Sequence, residues 1–483
     1  MNSPFNEAKY KALLEGLEIK ETLFSKTVNN KDFRIDSQFY TKEPIKNPKL
    51  EYGKIGNLLI KAQYGISISM NEEGDGYPIY RMNEIHNMLC DIDVSKFAKI
   101  THEEYETFRL NDREVLFNRT NSFEWVGRTG LYRKTDDKDF VFASYLVRFI
   151  PDEKKLLPEY LTAFLNTRYG IWDIKRRARQ SINQTNVNPE EVKEIEIPLL
   201  GNDFQKSIKD FFDTAHANRV KSLYIYNQAE QILLEELGLK DFEPSNEPVN
   251  IKSFQESFLS TGRLDAEYYQ KKYEDFIGLI KSYRNGFELF SSVCNLKDKN
   301  FNPDGRQEYK YIELANIGKT GDITGCTVSL GSDLPTRARR IVHENDVIIS
   351  SIEGSLDSCA LITKEYDNAL CSTGFYVINS NKINSETLLI LFKSELIQNI
   401  LKKGCSGTIL TAINKTELKQ IPIPLVDYTK QQEISELVEE SFALKKQSEE
   451  ILETAKRAVE IAIEEDEKKA IEYIKSEVSY YVS

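Results

Sequence analysis

A short polar run at residues 119–122 combines side-chain types that can read the edges of nucleic-acid bases. The run consists of Arg119, Thr120, Asn121 and Ser122 and follows a predicted β-strand. A guanidinium can form paired hydrogen bonds with guanine, an amide can do the same with adenine, and hydroxyls can contact phosphate. The pattern suits a groove-reading loop, and it suits a polar surface hairpin that binds nothing equally well.

Other polar side chains form further candidate groups. Arg81 and Asn83 stand beside Glu84, so Arg81 either contacts DNA or forms an internal ion pair with that carboxylate. A basic run ends a predicted helix, where its cations either contact phosphate or neutralise the helix C-terminus. This run and its counterpart later in the chain comprise Lys175, Arg176, Arg177, Arg179, Lys402, Lys403, Ser406 and Thr408. The hydroxyls of Ser351 and Ser355 complete the candidate set.

Known catalytic patterns are missing from the sequence. It lacks the phosphate-binding patterns GxxxxGK[ST] and GxGxxG, the zinc pattern HExxH, and the Pro-Pro pair of amino-methylating enzymes. The six cysteines include no CxxC pair, and only four histidines occur. The Cys-Ser-Gly turn at 405–407 has no histidine nearby in sequence that could activate a nucleophile. The sequence therefore predicts no catalytic site, no bound metal and no cofactor.

The acidic total charge conceals two electrically balanced regions. The net charge is -12, but eleven of the twelve excess negative charges fall in residues 201–262 and 427–483. Because residues 34–200 and 263–426 are close to neutral, the total does not exclude a DNA partner. No apolar run approaches the roughly 18 to 20 residues of a membrane-spanning helix, and the N-terminus does not resemble a signal peptide. We expect a cytoplasmic protein that makes no membrane contact.

Three stretches recur in the same order in the two halves of the chain, at offsets between 226 and 232 residues. The pairs are RIDSQFY (34–40) with RLDAEYY (263–269), YPIYRMNEI (77–85) with YKYIELANI (309–317), and VNPEEVKEIEIPLL (187–200) with INKTELKQIPIPLV (413–426). Ordered self-similarity of this kind indicates a duplication. Each copy mixes short β-rich runs with a helical stretch, at 158–179 and 385–403, which is typical of an α+β fold.

Each copy ends in a long segment with helical periodicity. Residues 205–237 and the longer segment 427–483 contain neither glycine nor proline, and Gly238 is a predicted cap for the first helix. Small and apolar residues form matching seams, which predicts a close antiparallel pair; the alternative is two solvated helices on separate cores. Residues 4–15 resemble the truncated end of another such helix. The seam residues are Ile208, Phe211, Ala215, Ser222, Ile225, Ala229 and Ile232, and then Ile434, Leu437, Ser441, Ser448, Ile451, Ala455 and Ala458.

Longer stretches of the chain carry a family resemblance. In the first copy they are YGISISMNEEGDGYPIYRMNEI (64–85), DREVLFNRTNSFEWVGRTGLY (112–132) and RQSINQTNVNPEEVKEIEIPLL (179–200). In the second copy they are YKYIELANI (309–317), NDVIISSIEGSLDSCALIT (345–363) and CSGTILTAINKTELKQIPIPLV (405–426). Together they resemble the specificity subunits of type I restriction-modification systems. The second copy departs from the pattern, because residues 352–355 stand in place of the basic RTNS run.

The resemblance implies a recognition subunit without chemistry of its own. Two target-recognition domains would each read one half of a bipartite site in double-stranded DNA. The family further implies two modification subunits that bind AdoMet and methylate adenine and, in the full phage-defence complex, restriction subunits that translocate and cut DNA. The rival hypotheses are a two-lobed protein-interaction scaffold that does not bind DNA, and an enzyme with an unfamiliar site.

The predicted fold is α+β, with two duplicated globular target-recognition domains separated by two long antiparallel helices in a coiled coil, and with pseudo-two-fold symmetry. The predicted segments are the N-terminal segment with the truncated helix (1–33), the first target-recognition domain (34–200), the central helix and linker (201–250), the second target-recognition domain (251–426) and the C-terminal long helix (427–483).

Overall fold

The structure is a computed structural model that describes residues 17, 19–30, 33–44, 46–135, 138–182, 184–407 and 411–481. The predicted helix at 4–15 lies outside the described residues. The chain divides into two compact units. The first unit contains residues 1–220 and 446–483, and the second unit contains residues 221–445. Each long helix therefore contributes its two halves to different units.

The first unit is built from short helices and short strands. Its helices are α1 (Phe24–Asn29), α2 (Ser37–Thr41), α3 (Ile55–Leu58), α4 (His102–Phe108), α5 (Pro158–Asn166), α6 (Arg168–Arg177), α7 (Pro189–Lys193) and the first part of α8 (Asn202–Glu236). Its strands are β1 (Tyr52–Lys54), β2 (Leu59–Tyr64), β3 (Tyr77–Tyr80), β4 (Ile85–His86), β5 (Leu89–Cys90), β6 (Phe97–Ala98), β7 (Val115–Asn118), β8 (Thr120–Asn121), β9 (Thr129–Leu131), β10 (Val141–Phe142), β11 (Leu146–Pro151), β12 (Arg179–Gln180), β13 (Thr185–Asn186) and β14 (Glu196–Pro198).

The main sheets of the first unit surround a continuous apolar core. One sheet has the order β2-β11-β7-β9-β5-β4, and a smaller one has the order β10-β3-β6. Strand β7 is buried along its whole length, as expected for a strand covered on both faces. Helix α5 supplies Tyr160 to a core that also contains Phe204 from α8 and Ala455. Burial of such side chains contributes about 1.5–3 kcal/mol each.

The second unit repeats this construction. Its helices are α9 (Phe258–Thr261), α10 (Lys271–Lys281), α11 (Phe290–Val293), α12 (Ser385–Lys393), α13 (Glu395–Lys403), α14 (Lys415–Gln420) and the first part of α15 (Tyr428–Glu464). The last helix, α16 (Glu467–Tyr481), belongs to the first unit. Its strands are β15 (Phe287–Leu289), β16 (Cys294–Lys297), β17 (Glu308–Ile312), β18 (Thr327–Leu330), β19 (Ala338–Ile341), β20 (Val347–Ser350), β21 (Cys359–Leu361), β22 (Leu370–Ser372), β23 (Phe375–Ser380), β24 (Cys405–Ser406), β25 (Ala412–Ile413) and β26 (Pro422–Pro424). Its main sheets have the orders β16-β23-β20-β21 and β18-β17-β22-β19.

Strand register confirms the predicted duplication. In the first unit β1 pairs with β14, with Tyr52 opposite Pro198, and in the second unit β15 pairs with β26, with Phe287 opposite Pro424. The parallel pair β3–β10 has its counterpart in the parallel pair β17–β22. The repeated sequence motifs therefore correspond to repeated backbone arrangements.

The seam of the long helices confirms their antiparallel packing within each unit. In the first unit the Ser448 hydroxyl donates to the Ala215 carbonyl at 2.7 Å. In the second unit the Ser222 hydroxyl donates to the Ser441 carbonyl at 2.8 Å, and the Ser441 hydroxyl donates to the Ser222 carbonyl at 2.9 Å. Small side chains allow this close approach of the two backbones. The alternative of two separately solvated helices is wrong.

The ends of the long helices follow local capping chemistry. Gly238 has a φ of 70° and caps α8 as predicted, since a left-handed conformation suits glycine. The predicted single helix over 427–483 is instead divided into α15 and α16. Asp466 caps α16, because its carboxylate accepts from the Lys469 N–H at 2.9 Å. Among the described residues, none of the helices combines the length and the apolar character needed to cross a membrane.

The predicted helices at 158–179 and 385–403 are each two helices. Thr167 separates α5 from α6, and Ser394 separates α12 from α13, both with extended backbone dihedrals. Their hydroxyls accept from the backbone N–H groups of Gly170 at 3.1 Å and Ile397 at 3.4 Å. A capping hydroxyl stabilises the start of the second helix. The basic residues in the last turns of α6 and α13 therefore belong to the second helix of each pair.

Candidate nucleic-acid interface

The polar run at 119–122 lies on a small sheet of the first unit, which has the order β12-β13-β8. Thr120 is buried, and its hydroxyl donates to the side-chain oxygen of Asn186 at 2.6 Å. The side-chain oxygen of Asn121 accepts from the Ser122 N–H at 2.8 Å. Asn121 is half-buried and Ser122 is exposed. Thr120 therefore stabilises the small sheet, while Asn121 and Ser122 are accessible to a ligand.

Arg119 is held by uncharged groups. Its Nε donates to the Ser144 carbonyl at 3.1 Å, and its guanidinium lies 5.1 Å from the centre of the Tyr64 ring. The side chain is half-buried. Because no carboxylate neutralises it within the described part of the chain, Arg119 keeps an uncompensated positive charge at this surface.

Lys175 on α6 positions the loop 119–127. Its ammonium donates to the main-chain carbonyls of Phe123, of Glu124 at 3.0 Å and of Val126 at 2.8 Å. Burial lowers the pKa of Lys175 to about 8. The phosphate contact of Lys175 stays a prediction. The N–H donors of its ammonium group are already bound to carbonyls of the loop.

The loop closes on the strand pair β7–β9. The Asn118 N–H donates to the Arg128 carbonyl, and the Gly127 N–H donates to the Asn118 carbonyl, both at 2.8 Å. Gly127 has a φ of 92°, and a Cβ at this position would lie 2.6 Å from Cγ2 of Ile174. Only glycine lets the loop approach α6 this closely without strain.

Three cations around this loop each lie over an exposed aromatic ring. The rings expose between 40% and 48% of their residue surface. None of the three cations makes an ion pair in the part of the chain that the structure describes. The pairs are Arg119 with Tyr64 at 5.1 Å, Arg128 with Trp125 at 3.6 Å and Lys175 with Phe123 at 5.0 Å. We call these six residues the cation–aromatic surface.

Arg128 and Trp125 were not among the sequence-based candidates. Arg128 lies nearest its ring of the three cations, and burial lowers its pKa. Their spacing of three residues across a glycine was the available signal. That signal is weak, because stacking depends on how the loop is closed by the strands.

The structure brings Arg81 onto its neighbour Glu84, as one of the two interpretations of the sequence expected. The Arg81 Nε donates to the Glu84 carboxylate at 3.1 Å, and the same carboxylate accepts from the Arg81 backbone N–H at 2.7 Å. Asn83 between them is exposed. The contacts favour an internal ion pair for Arg81 and leave Asn83 accessible.

Arg176 and Arg177 are buried, in contrast to the solvent-facing positions that phosphate contacts require. Arg176 Nε donates to Asp173 at 2.5 Å, while Arg177 donates to Asp173 at 3.0 Å and to Glu191 at 2.8 Å. These ion pairs favour a structural role over phosphate contact or neutralisation of the helix C-terminus. Arg179, on the edge strand β12, is exposed.

The repeated Arg-x-Asp motif supports the same region in both units. Its arginine and aspartate form an ion pair at 2.8 Å in each copy. The arginine guanidinium also donates to a main-chain carbonyl near the end of α6 or α13. An aromatic ring from the motif lies within 4.5 Å of two cations. These groups are Phe39 with Arg34 and Arg176, and Tyr268 with Arg263 and Lys403.

Main-chain hydrogen bonds show that Ser351 occupies the position of Arg119. The Arg119 N–H donates to the carbonyl of the residue before β11, and the Arg119 carbonyl accepts from the N–H of the residue after β13. The Ser351 N–H donates to the carbonyl of the residue before β23, and the Ser351 carbonyl accepts from the N–H of the last residue of β25. All four hydrogen bonds measure 2.9 or 3.0 Å. The counterpart of the RTNS run is therefore 351–354, and the sequence alignment with 352–355 is wrong by one residue. The second loop closes from Ser350 N–H to Ser358 carbonyl, which makes it two residues shorter than the first.

The remaining candidates of the second unit differ in accessibility. The hydroxyls of Ser351 and Ser355 are engaged by a main-chain carbonyl and by another serine hydroxyl, both at 2.8 Å. Lys402 and Ser406 are exposed, and Lys403 is half-buried over Tyr268. Thr408 lies outside the described residues.

The cysteines are unpaired, and all except the half-buried Cys326 are buried. Burial raises the pKa of Cys405 to about 12, so its thiol is protonated near neutral pH. Within the described ranges, no three potential metal-ligating side chains of His, Cys, Asp or Glu come together.

Comparisons with known proteins agree with the repeated architecture. The family model described as the type I restriction modification DNA specificity domain matches residues 47–230 and 288–456. The chain is 23% identical over 440 residues to the putative type I restriction enzyme MjaX specificity subunit of Methanocaldococcus jannaschii, covering 87% of this chain and 96% of that protein. It is 30% identical over 112 residues to the EcoKI specificity subunit of Escherichia coli, covering 23% and 24% of the two chains.

A solved S subunit of a type I restriction-modification system from M. genitalium aligns over 87% of this chain and 97% of its own, with a TM-score of 0.39 and 13% identity. The family match covers more than half of the chain and falls in both units. The chain therefore belongs to the type I restriction modification DNA specificity family.

Proposed function

We propose that each unit of this chain contacts one half of a bipartite site in double-stranded DNA, and that methyltransferase subunits bound to the chain modify adenine there. The chain supplies recognition, and the AdoMet-binding subunits supply the chemistry. Restriction subunits join the same complex to cut unmodified DNA.

The observation that carries this proposal is the cation–aromatic surface of the first unit. Three cations that make no ion pair with the described residues lie over exposed rings beside the accessible side chains of Asn121 and Ser122. Arg119 and Arg128 keep guanidinium donors for a phosphate, whereas the Lys175 ammonium already donates to loop carbonyls. Cations of this kind gain free energy by displacing counterions from DNA phosphates. An accessible amide next to them can hydrogen-bond a base edge.

Arg119 and Arg128 differ from other arginines of the first unit in making no ion pair with the described residues. Arg113, Arg133 and Arg148 are all paired with carboxylates. Leaving three cations unpaired close to one loop costs free energy in the absence of a ligand, because like charges repel. A polyanion offsets this cost, whereas an uncharged protein surface does not.

The test is a binding titration of the complex between this chain and its methyltransferase subunits with duplex DNA at several salt concentrations. We expect log K to fall linearly with log salt. Arg128→Ala removes a cation of the surface, so it lowers affinity about tenfold and reduces the salt slope by about 1. Arg109→Ala is the matched control, because Arg109 is exposed in the same unit and pairs with Glu106 at 3.3 Å.

The competing scaffold hypothesis predicts the opposite result. A two-lobed scaffold that binds only proteins gives a complex without salt-dependent binding to duplex DNA. That outcome, or equal salt slopes for Arg128→Ala and Arg109→Ala, contradicts the proposed role of the surface.

The proposed division of labour has its own measurement. We expect the purified chain, incubated with labelled AdoMet and duplex DNA, to transfer no methyl group, because its sequence lacks both the glycine pattern of an AdoMet loop and the Pro-Pro pair of amino-methylating enzymes. Methyl incorporation that appears only after addition of the methyltransferase subunits supports the proposal, and incorporation by the chain alone contradicts it.

A further inference from the structure

A cleft of about 290 Å³ lies beside the loop 351–357 of the second unit. Glu353 and Asp357 come from this loop, while Asn399 and Lys402 come from α13. The loop occupies the same place between paired strands as the loop 119–127 of the first unit. The cleft is therefore the second unit's equivalent of the proposed DNA contact.

Strand pairing shows which residues correspond across the two sites. Arg179 and Ser406 occupy equivalent positions in the two small sheets. The residue paired with Arg179 also pairs with β8, and the residue paired with Ser406 also pairs with Ile352. Lys402 lies four residues before Ser406, as Lys175 lies four residues before Arg179, so the two lysines correspond. In the same way Glu353 corresponds to Asn121, two residues after the matched positions 119 and 351.

The shorter loop changes how the equivalent lysine is used. In the second unit Gln398 donates to the Leu356 carbonyl and Lys393 donates to the Asp357 carbonyl, both at 3.0 Å. These bonds replace those that Lys175 makes in the first unit. Lys402 is consequently exposed at the edge of the cleft.

Three charged side chains of the cleft lack partners. Glu353, Asp357 and Lys402 make no side-chain hydrogen bond or ion pair with any residue that the structure describes. Other carboxylates of the same unit, such as Glu288 and Asp298, are each paired with a lysine. The Glu353 backbone is nevertheless fixed, since its N–H donates to the Thr411 carbonyl at 3.0 Å. The cleft therefore contains two carboxylates and one ammonium group that are available to a ligand.

We propose that Glu353 and Asp357 determine specificity for cytosine in the half-site read by the second unit, an inference that rests on the proposed function. A carboxylate only accepts hydrogen bonds, so it fits the cytosine N4 amino group and is repelled by the acceptors of guanine and thymine. Adenine offers an amino group, but its neighbouring acceptor N7 also faces the carboxylate and repels it. Lys402 contacts an adjoining phosphate and offsets the repulsion between the carboxylates and the DNA backbone.

The opposite charges of the two sites then have a common explanation. Asn121 in the first unit can donate and accept, which suits adenine, whereas Glu353 at the equivalent position can only accept. A divalent cation fits the cleft less well, because Lys402 brings a positive charge to the same walls. The two units therefore read different bases from equivalent backbone positions.

The experiment is methylome sequencing of cells that carry this chain with its methyltransferase subunits. The variants are Glu353→Gln and Asp357→Asn, with Glu344→Gln as the control because Glu344 is exposed in the same unit away from the cleft. An amide can bind adenine in paired fashion, so Glu353→Gln shifts one position from cytosine toward adenine. We expect a preference change of about 5- to 150-fold at that position, with the other half-site unchanged.

The outcomes separate this inference from the proposed function. Changed bases confined to one half-site in either cleft variant support the inference. Wild-type half-sites in both cleft variants overturn it, and so does loss of all methylation in both variants while Glu344→Gln stays active. Absence of any bipartite methylated site with the wild-type chain contradicts the proposed function itself.

Discussion

The loops 119–127 and 351–357 share their backbone attachment and differ in chemistry. Both begin and end on the same main-chain hydrogen bonds of paired strands, and the first is two residues longer. The first places cations over exposed aromatic rings, whereas the second presents unpaired carboxylates to a cleft. The comparison teaches that the strands fix where each loop stands, while loop length and side-chain type decide which groups it offers.

The supports beneath the loops differ as well. In the first unit Arg177 bridges the buried carboxylates of Asp173 and Glu191. The equivalent position in the second unit is Gly404, next to Lys403 over the Tyr268 ring. The first unit therefore has a buried charge network at this place, whereas the second has the Tyr268 ring in contact with Arg263 and Lys403.

The largest expected effect comes from removing the charge network of the first unit. Arg177→Ala leaves Glu191 buried without a cation, which destabilises folding by about 3–5 kcal/mol. Lys403→Ala loses a cation–aromatic contact and costs about 0.5–2 kcal/mol. Denaturant unfolding of the purified chain measures both. Equal losses for the two variants would show that the supports do not differ as described.

The next effect concerns base discrimination. Arg119→Ala weakens discrimination at one half-site by about 1–3 kcal/mol, since a paired guanidinium contact has this value. Ser351→Ala, the equivalent change in the second unit, alters discrimination by less than about 0.5 kcal/mol. Its hydroxyl is already bound to a main-chain carbonyl at 2.8 Å. Competition binding of the assembled complex with substituted half-sites gives both values, and an unchanged half-site preference for Arg119→Ala would make that residue a surface loop residue only.

A third effect appears as acid sensitivity of the first unit. Burial, with help from Arg133 and Arg219, lowers the pKa of His216 to about 4. Because the folded pKa is below the unfolded value of about 6.5, stability is fully present above pH 6.5 and is lost as pH falls toward 4. The slope reaches at most about 1.4 kcal/mol per pH unit.

The residue that corresponds to His216 in the second long helix, 226 positions later, is Phe442, which cannot titrate. His216→Phe therefore removes this part of the slope, and Phe442→His introduces a similar one. Thermal unfolding between pH 4 and 7 measures the difference between each variant and the wild-type chain. Parallel stability curves for the wild-type chain and His216→Phe would exclude His216 as the cause.

The smallest effect lies in the helix seam. Ser222 and Ser441 exchange hydrogen bonds, whereas Ser448 donates to the Ala215 carbonyl and bonds to no side chain among the described residues. A double-mutant cycle with Ser222→Ala and Ser441→Ala gives a coupling of about 0.5–1 kcal/mol in unfolding experiments. Ser448→Ala combined with Ser222→Ala is additive, because these residues share no contact. Additivity in both cycles would show that the serine pair contributes nothing beyond two separate hydroxyls.

The helices could be predicted from sequence because their signals are local and periodic, and the duplication because three motifs recur in the same order. Ser222, Ser441 and Ser448 fall at the expected seam positions, and Gly238 caps the first helix. The helix patterns depend on residues a few positions apart, and the duplication depends on comparing the chain with itself, so neither needs knowledge of tertiary contacts.

The helix breaks and the burial of the basic run could not be predicted in this way. Thr167 ends one helix and starts another through a single side-chain hydrogen bond, which competes closely with helix continuation. The sequence alone indicates that Arg177 is an exposed cation, because the ion pair that buries it is made with Glu191, fourteen residues later. Alignment of the second loop failed by one residue because the length difference lies inside the loop, where sequence constrains the register least.

The pairing of β1 with β14, and of β15 with β26, has a genetic consequence. Tyr52 lies opposite Pro198 and Phe287 lies opposite Pro424, so the polypeptide enters and leaves each recognition segment at adjacent points. A segment bounded in this way can be replaced as a cassette, with only two crossover points to rejoin. If each unit reads one half-site, as proposed, recombination between related genes gives the protein a new target at one half-site while the other half-site is inherited intact.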